Sequence, residues 1–169
     1  MPEPFNNKQS LDKYIYNAIN KLPKSYCVLE PNQITLFNYL ITFLIVYLIY
    51  YDYSYLAIVI ITIFRQFLDI LDGAIARKCK KYSKLGEKLD IYGDYLLSGL
   101  LIIIFYLKSK NKFIQYGYTI LFIYYIIRSI YAEMNKNLYT DDLMIFMHDN
   151  TILTIPILII IGLISINIK

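Results

Sequence analysis

The chain has 169 residues, of which 57% are hydrophobic, with a net charge of +4 and a mean hydropathy of +0.44. The length suits one domain, and the apolar residues fall in runs close to the roughly 20 needed to cross a bilayer. This excludes an ordinary soluble domain, which would carry more charge and shorter apolar runs. The basic residues lie between and beside these runs, which favours anionic headgroups or a phosphate-rich substrate at a membrane surface over nucleic acid.

In chain order, Met1 to Asn7 are polar and hold two prolines, unlike a cleavable signal. From Ser10, a plausible N-cap, the residues Leu11, Tyr14, Ile15, Ala18, Ile19 and Leu22 recur at helical spacing until Pro23. They predict an amphipathic helix lying in the membrane interface; a helix docked on a soluble partner is the competing reading. Pro31 opens a first span over 32–51. A short turn follows at 52–54, crowded by Tyr47, Tyr50, Tyr51, Tyr53 and Tyr55 as in an interfacial aromatic belt. The second span covers 55–74, a basic loop 78–84, the third span 89–107 and the fourth 113–131. A polar loop over 132–150 carries Asp141, Asp142, His148 and Asp149. The last span, 151–168, is interrupted by Pro156 and Gly162.

The expected architecture is therefore all-α: a polytopic membrane helix bundle with five clear spans, preceded by the interfacial helix. Residues 1–30 form a cytoplasmic N-terminal segment and 31–169 the transmembrane catalytic domain. Lys8, Lys13, Lys21 and Lys24 fall on the same side of the first hairpin as Arg77, Lys78, Lys80, Lys81, Lys84 and Lys88. The positive-inside rule makes that side cytoplasmic. Cys27 and Cys79 both lie there, so reduced thiols are the default expectation.

Chemistry concentrates between Leu68 and Leu96. Asp69, Asp72, Gly73, Ala76 and Arg77 share one helix face at i, i+3, i+4, i+7 and i+8, and Asp90 and Asp94 share a face of the next helix. The loop between is short, so four carboxylates can meet at the cytoplasmic mouth. An ionised aspartate near a bilayer costs on the order of several kcal/mol unless it is paired or binds a cation. Arg77 cannot offset four of them. An all-oxygen donor set favours a hard divalent ion such as Mg²⁺, Mn²⁺ or Ca²⁺, and four aspartates have room for two ions and a diphosphate. Gly73 and Ala76 clear the face for a ligand, Arg77 offers a planar fork for phosphate oxygens, and Gly86 lets the chain bend into the third span. The residues by themselves give a metal-dependent phosphate site.

The pattern Asp69-x-x-Asp72-Gly73-x-x-Ala76-Arg77, eight residues, Gly86, three residues, Asp90, three residues, Asp94 resembles the signature of the CDP-alcohol phosphotransferase family at every position and gap. Pro31-Asn32-Gln33-Ile34-Thr35 also resembles the start of that family's first span. The resemblance implies a phospholipid-synthesising transferase that moves a phosphatidyl or phospho-alcohol group from a CDP-linked donor to an alcohol, releasing CMP. It implies two Mg²⁺ or Mn²⁺ ions on Asp69, Asp72, Asp90 and Asp94, with Asp94 also the base for the acceptor hydroxyl. Gly73, Ala76 and Arg77 would contact the CDP moiety and its phosphates. The implied partners are CDP-diacylglycerol or a CDP-amino-alcohol, an alcohol acceptor, the bilayer and a second copy in a homodimer. The implied location is integral to the membrane with the active site facing the cytoplasm, in the endoplasmic reticulum of a eukaryote or otherwise the plasma membrane. Such proteins usually have about six spans, so residues 143–147 are expected to hide a sixth, short piece unless a helix has been lost.

A divalent-cation transporter would place acids at mid-membrane depth in several spans, a catalytically inactive relative would keep the motif intact, and a membrane scaffold would show neither CMP release nor metal flux. Arg65 and Arg128 are costly in or near spans unless paired or snorkelling; Arg128 suits an acceptor phosphate or an interfacial anchor. Asn38 stands where some relatives with phosphorylated acceptors carry arginine, which leans towards an unphosphorylated acceptor such as serine, inositol or an amino-alcohol lipid partner. His148, the single histidine, reads as a surface residue.

Overall fold

The computed structural model describes residues 11–21, 23–135 and 151–167. Ser10, Leu22, the loop with Asp141, Asp142, His148 and Asp149, and the piece at 143–147 lie outside these residues. Among the described residues every regular element is helical: α1 (Leu11–Lys21), a 3₁₀ turn (Lys24–Val28), α2 (Pro31–Tyr50), α3 (Tyr55–Lys78), α4 (Lys84–Lys108), α5 (Lys112–Asn135) and α6 (Thr151–Ser165). The all-α expectation is met. Two helices, α2 and α4, are both long and apolar enough to cross a membrane. In α3 the same length is broken up by Arg65, Asp69 and Asp72.

Each junction has a local cause. Pro31 occupies the first turn of α2, where its missing N–H costs nothing. The C-terminus of α2 closes with Tyr53 N–H donating to Leu48 O (3.0 Å) and Asp52 N–H to Ile49 O (3.3 Å). That is a Schellman arrangement with Asp52 at φ 55°. Lys108 at the end of α4 donates to the Ile49 and Tyr50 carbonyls at 3.0 and 2.8 Å and pairs with Asp52. A cation thus sits on the negative end of α2's dipole. The end of α3 repeats the motif: Lys81 N–H reaches Ala76 O (2.9 Å), Lys80 N–H reaches Arg77 O (3.4 Å), and Lys80 takes φ 56°. Ser83 then caps α4 through Gly86 N–H at 3.0 Å.

The hydrophobic core joins Ile41, Ile45 and Ile49 of α2, Ile58 of α3, Leu97, Leu101 and Phe105 of α4, and Ile159 and Leu163 of α6. Outward faces are equally apolar: Phe37, Leu40 and Phe43, Leu56 and Ile60, Ile120 and Ile127, and Ile157, Ile161 and Ile164 are exposed. Meanwhile Asn38, Thr42, Thr62, Arg65, Gln66 and Asp72 are buried. Polar inside and apolar outside reverses a soluble surface and suits lipid.

Three expectations need correction. The last helix runs unbroken from Thr151 to Ser165 through Pro156 and Gly162, and Gly162 is there for space, because a β-carbon would run into the Phe105 ring. The buried face of α1 is turned: Asp12 and Ile19 are buried and Leu11, Tyr14 and Ala18 exposed. This follows from docking on α3, where Ile19, Ile15 and Tyr16 meet Ile70, Leu71 and Ala74. Finally, Cys27 and Cys79 are not free thiols but form a disulfide, their Cα atoms 5.6 Å apart. The docking of α1 lays the 3₁₀ turn against the C-cap of α3, and sequence separation hid the pair.

The bridge closes a loop across 52 residues, so Cys27→Ser is expected to cost about 2–4 kcal/mol. Thermal unfolding in detergent checks this, and a thiol reductant should remove the difference between variant and parent. Lys80→Gly is expected to add about 0.5–1 kcal/mol by relieving a left-handed side-chain conformation, read in the same melts.

Candidate active site

The site lies where the N-terminus of α2, the C-terminal half of α3 and the first turns of α4 meet. The helical repeat that puts Asp69, Asp72 and Arg77 on one face of α3 turns that face towards α4. All four predicted aspartates come together: Asp69 is within electrostatic range of Asp90 and Asp94, and Asp90 within range of Asp72 and Asp94. Their surroundings differ. Asp72 is 4% exposed and accepts a hydrogen bond from Thr35 Oγ1 at 2.6 Å; the same hydroxyl lies 3.1 Å from the Pro31 carbonyl. Asp69 and Asp94 are held instead by Arg65, whose Nη1 is 3.4 Å from Asp69 Oδ1 and whose Nη2 is 3.0 Å from Asp94 Oδ1. Asp90 keeps a buried Oδ1 without any hydrogen-bond partner.

That oxygen is informative, because a buried acceptor left unpaired costs about 1–3 kcal/mol. An all-carboxylate set with one uncommitted oxygen fits a hard divalent cation. As the side chains stand, no group of three or more His, Cys, Asp or Glu among the described residues is poised to hold an ion. Asp69 and Asp94 are turned onto Arg65, and Asp72 onto Thr35.

One pocket opens beside this cluster, lined by Pro31, Asn32 and Thr35, by Asp72, Gly73, Ala76 and Arg77, by Lys81, Tyr82 and Ser83, and by Gly86, Glu87 and Asp90. It gathers six of the eight signature positions; Asp69 and Asp94 fall outside it, on the Arg65 side. Gly86 does not bend the chain, as was expected of it. It sits within α4, where an added β-carbon would come 2.6 Å from Asn32 Oδ1 and 3.0 Å from Ser83 Oγ, so its smallness lets α2 approach α4. At Gly73 a β-carbon would come 2.7 Å from Arg77 Nη2: the guanidinium folds back over the bare backbone.

Arg77 is steered from α1. Its Nε donates to Tyr16 Oη at 3.1 Å and the group stacks 4.9 Å from the Tyr16 ring. Lys78 donates to the Asn20 carbonyl (2.6 Å) and lies over Tyr26, while Lys81 bonds the Leu29 carbonyl and pairs with Glu30. Lys78 and Lys81 of the basic loop, expected to meet anionic headgroups or a phosphate-rich substrate, thus anchor the N-terminal segment. The Tyr82 hydroxyl donates to the Glu87 carboxylate, which raises the phenol above its ordinary pKa.

Sequence reasoning missed the role of Arg65, the buried Asp12 of α1 within electrostatic range of Asp69, and the polar pocket rim from Lys81 to Ser83. The available signals were a lone arginine four residues before Asp69 and an aspartate inside an otherwise apolar helix face. The motif at 31–35 was visible in the sequence, but the bond from Thr35 to Asp72 was not.

A sequence model of the CDP-alcohol phosphatidyltransferase domain matches residues 28–167. The chain is also similar to an archaetidylinositol phosphate synthase of Pyrococcus horikoshii, 45% identical over 68 residues, which is 40% of this chain and 36% of that protein. The similarity thus spans about a third of the relative's length. No solved structure matches the chain.

Thr35→Val removes a donor from a buried carboxylate and is expected to cost about 1–3 kcal/mol. Thermal unfolding should show the loss, with Thr35→Ser recovering most of it.

Proposed function

The chain belongs to the CDP-alcohol phosphatidyltransferase family, and on that premise we propose that it transfers a phosphatidyl or phospho-alcohol group from a CDP-linked donor to an alcohol, with release of CMP. The observation that carries this is the gathering of Asp72, Gly73, Ala76, Arg77, Gly86 and Asp90 around one pocket, with an uncommitted Asp90 oxygen at its side. In this reading residues 31–169 are the catalytic unit and 1–30 the segment that steadies it.

The pocket takes the CDP moiety. Gly73 and Ala76 give the diphosphate access to the α3 backbone, and Arg77 pairs with its oxygens once it turns from Tyr16. Asp69, Asp72, Asp90 and Asp94 would hold two divalent ions, Mg²⁺ or Mn²⁺, whose positive charge would offset the negative charge developing on the departing CMP. Asp94 has a side chain 54% exposed, open to an incoming alcohol, and takes the hydroxyl proton. The alcohol oxygen bonds to the β-phosphorus as the bond from that phosphorus to the CMP oxygen breaks in line.

The finer architecture we propose is five spans, α2 to α6, with a sixth piece near 143–147 as the alternative, the site facing the cytoplasm and the chain paired as a homodimer. Donors are CDP-diacylglycerol-type lipids or CDP-amino-alcohols. The named relative is an archaetidylinositol phosphate synthase, whereas Asn38, near where some relatives with phosphorylated acceptors carry an arginine, leans towards an acceptor without phosphate. The acceptor panel therefore includes inositol, inositol phosphate, serine and glycerol phosphate.

Purified chain given a CDP-lipid, Mn²⁺ or Mg²⁺ and this panel is expected to release CMP with one acceptor, the lipid product being identified by mass. Asp90→Asn should lower the rate at least 100-fold. Asp94→Asn should abolish transfer while retaining donor binding, and full activity in that variant would refute its role as base. Metal flux into proteoliposomes without CMP release would point to transport instead.

A further inference from the structure

Arg65 stands outside the signature, yet it is 1% exposed and occupies the seam where three helices meet. Its fork reaches Asp69 on its own helix at 3.4 Å and Asp94 on α4 at 3.0 Å, and Nη1 also donates to Gln66 Oε1 at 2.8 Å. It lies against the α4 backbone at Gly93, where a β-carbon would come 3.6 Å from Nη2 and 3.7 Å from the Tyr39 ring. Tyr39 of α2 in turn donates to the Leu89 carbonyl of α4 at 2.7 Å. Arg77, the other arginine beside the cluster, is engaged by Tyr16. A guanidinium is suited to this place because it stays charged and can bond two carboxylates in fixed directions.

Four carboxylates this close repel one another, and taking one partner from a buried charge pair leaves the other uncompensated. We propose that Arg65 is a positioning residue, the resident counter-charge of the acidic site. It holds Asp69 and Asp94 together across α3 and α4 and keeps the cluster assembled when divalent cations are not bound. Cations then take over part of its work. This inference rests on the divalent-metal reading given above.

The test is thermal unfolding of the full chain in detergent, in EDTA and in saturating Mn²⁺, together with CMP release by the parent chain. Arg65→Gln is expected to lower Tm more in EDTA than in Mn²⁺, so that the Mn²⁺-induced rise in Tm at least doubles relative to the parent. Arg65→Lys, with charge but no fork, should fall between them. A packing role predicts equal losses in both conditions, and equal losses overturn the inference. If Arg65→Gln folds in neither condition, the double variant Arg65→Gln/Asp94→Asn should recover folding by removing one of the carboxylates the fork holds; no recovery also overturns it. A parent chain with neither a Mn²⁺ shift nor CMP release overturns the metal reading and this inference together. A parent with both, beside equal losses in Arg65→Gln, overturns this inference alone.

Discussion

Like charges at the mouth of a helix pair set the central problem of this molecule. Asp69 and Asp72 on α3 and Asp90 and Asp94 on α4 lie within electrostatic range of one another, at the end of a bundle whose outside is apolar. Water is the usual remedy for carboxylate repulsion, and a site beside lipid has less of it. The fold supplies donors instead. Arg65 spans the two helices, Thr35 brings α2 to Asp72, and one oxygen of Asp90 is left uncommitted. The close packing at Gly86 and Gly93 follows from the need to bring those donors within reach.

The N-terminal segment is tied to the same end of the bundle by several kinds of contact. Ile19 packs on Ile70 and Ala74, Cys27 is bonded to Cys79, and Arg77, Lys78 and Lys81 reach back to Tyr16, Asn20 and Glu30. Three of the cations that counted in the sequence as a membrane-surface cluster, Arg77, Lys78 and Lys81, are therefore engaged within the molecule. Their positive charge still lies beside the pocket. Its orientation, however, is set by tyrosine rings and carbonyls of α1 and the turn after it, which makes this segment part of the site's architecture.

Much of the helical plan could be read from the chain. Apolar runs, Pro31 at the start of α2 and the turn around Asp52 located the helices to within a few residues. Periodicity alone put the aspartates of α3 on one face and those of α4 on another. What could not be read was anything that depended on the mutual rotation of helices. The buried face of α1 was misjudged because Asp12 looks solvated in isolation and Leu11 looks buried. The cysteines were taken as reduced because the charge rule puts both on the cytoplasmic side, and their separation gives no hint that the turn after α1 meets the end of α3. Pro156 and Gly162 suggested a broken helix, but Gly162 serves the Phe105 ring.

The sequence by itself determined the helices, the apolar exterior and the chemical character of the site, because these depend on local periodicity and on residue types that a single helix turn brings together. Tertiary structure decided which charges answer which. Arg65 reaches Asp94 only when α3 and α4 are in register, Thr35 reaches Asp72 only when α2 lies beside them, and Arg77 is turned towards α1 only because α1 docks there. Short-range geometry is written in spacing; the pairing of charges across helices depends on packing angles that spacing does not specify.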